Sequence, residues 1–255
     1  MTHKLASATA SALDTVTFWD QIYLEMPSSK LRLDETIAVA LHCAQSFFQC
    51  NETSRILDIG CGRGETSVFW ARTGAQVTAV DYSPAAISEL NQYCAQHGIT
   101  NIKAIASDAM AIDELGQFNY VFGSLILHHL EPFHHFTKVL RRSLTADGKA
   151  FFYENNGASD FLMWVRDHII GKLWIPKWGD KEESPLAPHE IELLRAFFHV
   201  SVLYPEMKFF QLAATYIFRG RFGRQLKVVD DFLFRHNVGV RYSYRQYVML
   251  ESRPG

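Results

Sequence analysis

The stretch from Arg55 to Glu65 constrains the fold more than any other part of the chain. It reads Arg-Ile-Leu-Asp-Ile-Gly-Cys-Gly-Arg-Gly-Glu, a short apolar run that ends in three alternating glycines. The apolar run, with its β-branched residues, predicts a buried parallel strand. The glycines allow the backbone to turn sharply and to approach a ligand closely, and Thr66–Arg72 then predicts the start of a helix. The sequence therefore predicts a ligand-binding loop at the carboxyl end of the first strand of an open α/β sheet.

The spacing of this loop separates two classes of nucleotide-binding protein. A second strand, Gln76–Val80, ends in Asp81, about where an acid binds ribose hydroxyls in such folds. A dinucleotide fingerprint is Gly-x-Gly-x-x-Gly, whereas this chain has the pattern Asp58-x-Gly60-x-Gly62-x-Gly64. The Asp58 carboxylate would repel a phosphate but suits a cationic amino group. A NAD-type oxidoreductase is therefore kept only as an alternative.

The pattern resembles the first motif of the class I S-adenosylmethionine (SAM)-dependent methyltransferases, in particular the small-molecule type with Leu-His-His-Leu after the fourth strand, here Leu127–Leu130. The resemblance implies an α/β fold with a Rossmann-like, seven-stranded, mostly parallel sheet whose last strand is antiparallel. Helices would cover both faces, with an N-terminal helical cap and a helical insertion before the last strand. It also implies SAM as the cofactor, with its methionine half on the glycine loop and its ribose hydroxyls on Asp81.

Further motifs in register extend the resemblance to the rest of the cofactor. It places Tyr82 against the adenine ring and Asp108, after the strand Asn101–Ala106, against the adenine amino group, although Asp108 alone would suit a loop or a cap. Trp19 and Tyr23 lie in a predicted helix, Thr15–Met26, and could cover the pocket or simply pack in the core. The predicted cofactor-binding residues are Asp58, Gly60, Cys61, Gly62, Gly64, Asp81, Tyr82, Ser83, Asp108, Ala109, Ser124, Trp19 and Tyr23.

Three residues are candidates for catalysis. His128 and His129 follow the predicted fourth strand, Phe118–Ser124, and Glu154 follows the fifth, Lys149–Tyr153. Histidine suits a general base because its ordinary pKa, about 6.5, lies near working pH. Either histidine could instead only pack the loop, and Glu154 could only anchor it. Histidines at 128, 129, 134 and 135 raise the question of a metal, but no cysteine or acid spacing supports one, and no metal is predicted.

Other local signals predict structure without chemistry. Asp34 can cap a helix over Asp34–Cys50, and Pro84 suits the first turn of a helix that runs to about His97. Asp147-Gly148 predicts a turn. Asn119 stands where members of the resembling family commonly have an acid, at the end of the strand far from the cofactor, so its consequence should be structural.

The amino-acid composition limits the classes of protein to which this chain can belong. The chain has 255 residues and a formal net charge of −2, which gives no global case for nucleic-acid binding. Its four cysteines form no CxxC pair, and neither a signal peptide nor a membrane-spanning run is visible. We therefore expect a cytoplasmic protein with a single domain over residues 1–255. This divides into a helical cap (1–50), a SAM-binding core (51–154) and a substrate-side elaboration (155–255) with an insertion at 209–236.

The elaboration differs in character from the core. It begins with an aromatic, basic stretch, Phe161–Trp178, and its later elements are predicted as a helix, a strand, two helices within the insertion and a last strand, Arg241–Ser252. Between Lys208 and Arg245 there are eight Lys/Arg against two Asp. This excess fits a solvated basic face, an oligomer contact, or attraction to an acidic substrate or an anionic membrane surface.

The sequence thus predicts a SAM-dependent methyltransferase that transfers a methyl group to an oxygen, nitrogen or carbon atom of a small, apolar or aromatic metabolite. Alternatives are a membrane-peripheral lipid or quinone methyltransferase, and a catalytically silent SAM-binding subunit. The expected partner is a small-molecule acceptor, with peripheral membrane contact as a further option and no nucleic acid. The identity of the acceptor and the oligomeric state stay open.

Overall fold

The structure is a computed structural model that describes residue 31 and residues 33–160, 162–164, 185–216, 218 and 221–253. The predicted N-terminal helix Thr15–Met26, with Trp19 and Tyr23, lies outside the described residues. Most of the aromatic stretch Phe161–Trp178 lies outside them as well.

Seven strands form one sheet with the order β3-β2-β1-β4-β5-β7-β6. β1 to β5 run parallel, and β7 runs antiparallel to both of its neighbours, β5 and β6. The order reverses between β1 and β4, and open α/β sheets bind ligands outside the carboxyl ends of the strands at such a point. The predicted mixed sheet is confirmed, with strands β1 (Arg55–Ile59), β2 (Gln76–Asp81), β3 (Ile102–Ala106), β4 (Phe118–Ser124), β5 (Leu144–Asn155), β6 (Phe198–Leu203) and β7 (Arg245–Ser252).

The helices begin and end largely where local signals predict. Asp34 caps the first helix, because its side chain accepts a hydrogen bond from the Thr36 amide at 2.8 Å. Pro84 opens the third helix and Gly98, with φ of 64°, ends it. The described helices are α1 (Glu35–Phe48), α2 (Glu65–Ala71), α3 (Pro84–His97), α4 (Phe133–Ser143), α5 (Pro188–Leu194), α6 (Phe210–Tyr216) and α7 (Gly223–Arg235).

Apolar side chains cover the sheet on both faces. On one face α1 packs Phe48 against Tyr120, with ring centroids 4.8 Å apart, and against Trp70 at 5.5 Å. On the other face Phe136 of α4 and Leu194 of α5 are fully buried within one core cluster. The sheet is thus shielded on both sides, and its carboxyl edge is left to carry the site.

Two boundary predictions were wrong. Asp147-Gly148 forms no separate turn but lies inside β5, where Leu144 pairs with Phe118 and Lys149 already pairs with Tyr120. The intervening residues form a bulge. β7 begins at Arg245 rather than Arg241, because Val240–Tyr242 form a short 3-10 helix.

Asn119 has the structural consequence expected for it. It lies opposite the bulge of β5, at the end of β4 far from the carboxyl edge. Its Oδ1 accepts a hydrogen bond from the Arg55 amide at 2.9 Å and so satisfies the first residue of β1. The side chain ties two neighbouring strands together and takes no part in the site.

The insertion expected before the last strand consists of α6 and α7, between β6 and β7. β6 lies parallel to β5, so the chain leaves β6 and enters β7 at the carboxyl edge of the sheet. Among the described helices, none is both long enough and apolar enough to cross a bilayer.

Candidate active site

The glycine loop links β1 to α2 at the point where the strand order reverses. Gly60, Gly62 and Gly64 have φ of 65°, 53° and 92°, a region that side chains disfavour. A Cβ on Gly64 would lie 2.3 Å from Leu90 of α3, and a Cβ on Gly60 would lie 2.9 Å from Ile126. The loop therefore requires glycine both for its backbone conformation and for close packing against its neighbours.

Asp58 lies buried at the end of β1, beside this loop. Its Oδ2 accepts hydrogen bonds from Thr66 Oγ1 at 2.7 Å and from Ser67 Oγ at 2.5 Å, both at the start of α2. Burial raises the pKa of the Asp58 carboxyl to about 7, although the two hydroxyls act to lower it. Asp58 thus fixes the start of α2 and keeps a carboxyl group that titrates near neutral pH. Its contact with an amino group stays a prediction.

Asp81 joins the loops that follow β1 and β2. Its Oδ2 accepts the Gly62 amide at 2.8 Å, and its Oδ1 accepts the Ser83 amide at 2.9 Å. The Ser107 amide, after β3, donates to the Asp81 carbonyl at 3.0 Å. Because an ionised carboxylate offers about four acceptor positions, Asp81 can still accept from ribose hydroxyls while it holds these loops.

Three further predicted cofactor residues lie on the loops after β2 and β3. Tyr82 is 49% exposed, so its ring is available for stacking. The Ser83 side chain is buried and caps α3 through the Ala86 amide at 3.1 Å. Asp108 Oδ1 caps the 3-10 helix that begins at Ala109, through the Met110 amide at 2.8 Å. Ser83 and Asp108 therefore have local structural roles, whatever else they bind.

The other predicted cofactor residues provide no additional charge. Cys61 and Ala109 are buried, and burial raises the pKa of the Cys61 thiol, which makes it a poor nucleophile. Ser124 is the last residue of β4 and lies half-buried at the carboxyl edge. Trp19 and Tyr23 belong to the part of the chain that is not described, so their predicted role as a cap stays a prediction.

His128 and Glu154 form a pair at the carboxyl ends of β4 and β5. Glu154 is fully buried, and its Oε2 lies 2.8 Å from His128 Nδ1. Its Oε1 accepts the amides of Ile126 at 2.8 Å and Leu127 at 2.7 Å. A carboxylate only accepts, so in the neutral form of His128 the proton lies on Nδ1 and Nε2 keeps a lone pair. This arrangement suits His128 to accept a proton.

The structure gives the three predicted catalytic residues different positions. Glu154 uses both oxygens on the loop after β4, so it orients His128 and is a positioning residue by geometry. The ring centroids of His129 and His128 are 4.1 Å apart, and the backbone amide of His129 donates to the Ile126 carbonyl at 3.0 Å. Glu154 orients the His128 imidazole directly, and we therefore favour His128 as the base.

Sequence reasoning missed Glu190 as a neighbour of the site. Glu190 of α5 accepts the Ala187 amide at 2.6 Å, and burial raises its pKa. His128 and His189 are close enough to act on that pKa in the opposite direction. Glu190 therefore lies in the electrostatic surroundings of His128. Nothing in the local sequence around Glu190 indicates this, because the contact depends on how α5 packs.

Arg245 is a second residue that the sequence indicated only as part of a charge excess. Its Nη1 donates to Asn155 Oδ1, and its guanidinium lies over the rings of Tyr153 at 5.1 Å and Tyr244 at 5.4 Å. No carboxylate of the described residues pairs with it. The antiparallel start of β7 brings this cation beside the end of β5, a register that the sequence alone does not reveal.

In the described ranges no cluster of His, Cys, Asp and Glu could hold a metal ion.

The sheet order and the glycine loop are typical of the class I, SAM-dependent methyltransferase fold. The sequence agrees, since residues 56–148 match the family described as "Methyltransferase domain". The match is to this segment of the chain, which contains the glycine loop and Asp81.

Similar proteins support the assignment. The ubiquinone biosynthesis O-methyltransferase of Idiomarina loihiensis is 27% identical over 141 residues, which are 54% of this chain and 57% of that protein. The matched part thus spans less than two thirds of such relatives. The N-methyltransferase NodS of Bradyrhizobium japonicum superposes with a TM-score of 0.60 at 13% identity, covering 93% of this chain and 98% of that one.

A third comparison shows that this fold carries more than one kind of chemistry. The cyclase SpnF superposes with a TM-score of 0.59 at 15% identity, covering 95% of this chain and 94% of that one. At these identities the solved structures establish the fold, and the reaction has to be argued from the site.

Proposed function

We propose that this protein is a SAM-dependent methyltransferase that methylates a hydroxyl oxygen of a small, apolar or aromatic metabolite. The observation that carries the proposal is the imidazole of His128, held by a fully buried Glu154 at the carboxyl edge of the sheet. A hydroxyl loses a proton when it is methylated, and an oriented imidazole is suited to take it. The O-methyltransferase activity of the relatives named above supports oxygen as the acceptor atom.

The cofactor half of the site would hold SAM, which supplies an electrophilic methyl group when bound. The amides and positive-φ backbone of the glycine loop leave room for the methionine part. Asp81 would accept from the ribose hydroxyls, and Tyr82 would stack on the adenine. Asp58, which titrates near neutrality, would become ionised beside the amino group of the cofactor.

The acceptor half would work by positioning and proton transfer. His128 Nε2 would accept the hydroxyl proton, and the carboxylate of Glu154 would stabilise the imidazolium that results. General base catalysis of this kind contributes roughly 10²–10⁴-fold in rate. Alignment of the oxygen with the methyl group and exclusion of water would supply the rest.

The acceptor is proposed to carry its hydroxyl on a quinone-type or other aromatic ring. The relatives are named for ubiquinone biosynthesis. Near the carboxyl edge, Arg245 lies over the rings of the buried Tyr153, which precedes Glu154 in β5, and the half-buried Tyr244. Arg245 could receive a polar or anionic substituent of such a ring.

Calorimetric titration with SAM, S-adenosylhomocysteine (SAH) and NADH tests the cofactor class. We expect both sulfur ligands to bind and NADH not to bind, because a pyrophosphate would meet Asp58 and Asp81. Binding of NADH alone would establish the oxidoreductase alternative. Tight SAM binding without SAH formation in any extract would instead indicate a silent SAM-binding subunit.

A further inference from the structure

The helical insertion exposes several large apolar side chains. Val228 and Phe232 are four residues apart on α7, and Val229 lies within one turn of both, so the three share one side of the helix. Phe218 and Phe222 lie just before α7 and are exposed as well, with ring centroids 6.0 Å apart. We call these five residues the apolar face, and each of them is between 39% and 63% exposed.

Arginines border the apolar face. Arg224 lies one turn before Val228 and Arg235 three residues after Phe232, while Arg221 lies in the preceding turn. Neither Arg221 nor Arg224 pairs with a carboxylate of the described residues. Residues 221–242 contain five Lys/Arg against two Asp. The exposed apolar surface thus lies in a region of positive charge.

The two acids of this region do not pair with the arginines that border the apolar face. Asp231 is paired with Lys227, with its Oδ1 2.7 Å from the ammonium. Asp230 is fully buried and accepts the amides of Phe210 at 3.0 Å and Gln211 at 2.8 Å, at the start of α6. Asp230 therefore anchors the inner side of α7 to α6, which directs the apolar face outward.

The insertion is tied to the active-site edge. The Asn156 side chain donates to the carbonyls of Arg241 and Ser243, both at 2.8 Å, and its amide donates to the Tyr244 carbonyl at 2.8 Å. Asn156 follows Glu154 by two residues. The stem of the insertion and the His128 pair therefore share the carboxyl end of β5.

We propose that the apolar face and its bordering arginines dock on an anionic phospholipid surface. Phenylalanine and valine side chains can enter the head-group boundary, and arginines are attracted to acidic lipids. Charge complementarity favours this occupant over a second copy of the chain, because a two-fold contact at this surface would bring the arginines of both copies together. Under the proposed function, docking would also bring the site's edge close to a lipid-soluble acceptor.

Co-sedimentation with vesicles tests the docking without any need for catalysis. We expect the full chain to bind vesicles containing phosphatidylglycerol at least about tenfold better than vesicles of phosphatidylcholine alone, and added salt should weaken the binding. The double substitution Arg221→Glu with Arg224→Glu should lower the binding by about tenfold or more. Phe232→Ser should lower it by about tenfold.

Two matched substitutions serve as controls. Val39→Ser removes a valine of α1 that is about as exposed as Phe232, and so it matches Phe232→Ser. Lys103→Glu reverses an exposed positive charge on β3, and so it matches the arginine substitutions. Both should bind vesicles as the wild type does. The proposal is overturned if the wild type binds neither kind of vesicle, or if Lys103→Glu weakens binding as much as the arginine substitutions.

Light scattering on the same samples separates a second copy from a membrane. A wild-type dimer that Phe232→Ser converts to a monomer, without vesicle binding, would assign the apolar face to self-association and overturn the proposal. SAH binding is measured by titration for the wild type and each variant. If the wild type does not bind SAH, the proposed function is contradicted, whereas the vesicle result is unaffected.

Discussion

Replacing Asp58 with asparagine should change how the stability of the protein depends on pH. Burial raises the pKa of this carboxyl from 3.8 to about 7, so the folded state retains the proton that the unfolded chain releases. The folded state binds more protons over that interval, and its stability therefore falls as the pH rises through it. At about 1.36 kcal/mol per pKa unit, roughly 3 kcal/mol of unfolding free energy is lost between pH 5 and pH 8.

Urea unfolding at a series of pH values measures the effect. Asp58→Asn removes the titrating group while its amide oxygen can still accept from Thr66 or Ser67, so we expect the variant to gain about 3 kcal/mol relative to wild type between pH 5 and pH 8. Asp147→Asn, which removes an exposed carboxylate, is the control and should leave the pH slope unchanged. Equal pH slopes for wild type and Asp58→Asn would refute the reasoning.

Ligand binding extends the same experiment. If Asp58 faces the cofactor's amino group, saturating SAH should flatten the wild-type pH slope, because a bound cation favours the ionised carboxylate. Asp58→Asn should then bind SAH roughly 10- to 100-fold more weakly, since a charge-assisted hydrogen bond is lost. Unchanged affinity in the variant would assign Asp58 a purely structural role.

Three other substitutions test the remaining parts of the site. Glu154→Gln turns an amide NH₂ toward His128 Nδ1, which forces the wrong imidazole tautomer. Turnover should therefore fall about 10²–10⁴-fold while the affinity for SAH is kept. An unchanged turnover rate on an active acceptor would exclude His128 as the general base. Asp81→Ala should weaken SAM binding by roughly 2–3 kcal/mol in calorimetry, and affinity within twofold of wild type would remove Asp81 from the site. Gly64→Ala should destabilise the fold by about 2 kcal/mol or more in urea unfolding, because its Cβ would meet Leu90 at positive φ, and equal stability would contradict the close packing.

The cofactor half of the fold could be predicted from sequence because its signals are local. Gly60, Gly62 and Gly64 lie in one loop, and Asp81, which accepts the Gly62 amide, ends the next strand. Asp34 caps its helix through the Thr36 amide, and Pro84 occupies the first turn of the next long helix, directly after the cap Ser83. Each of these features is set within one short motif or between two consecutive strands, so it can be recognised from the amino-acid order.

The other features depend on how distant segments pack. Asp147-Gly148 has the composition of a turn, but the pairs Phe118–Leu144 and Tyr120–Lys149 on either side keep it within β5 as a bulge. Asp230 resembles a surface charge in a basic helix and is instead fully buried against the start of α6. The orienting role of Glu154 requires the register of β4 and β5, which brings it to His128 across 26 positions of the chain.

A deletion in the helical insertion tests which part of the chain selects the methyl acceptor. The region from Phe161 to Arg245 should choose the acceptor, so replacing residues 209–236 with a short turn should spare SAM binding and abolish or redirect methylation. A shortened protein that kept the acceptor and the rate of the wild type would leave the insertion to membrane docking or stability. Calorimetry with SAH and product analysis separate these outcomes.

The central claim is that this site transfers a methyl group from SAM to an acceptor hydroxyl. The direct measurement is incubation of the protein with methyl-labelled SAM and a quinol-containing lipid extract, following labelled product and SAH together. The account predicts equal amounts of labelled ether and SAH from the wild type, and a loss of about 10²–10⁴-fold for His128→Gln with SAM binding intact. A wild-type protein that binds SAM yet forms neither product, or a His128→Gln variant as fast as the wild type, would contradict it.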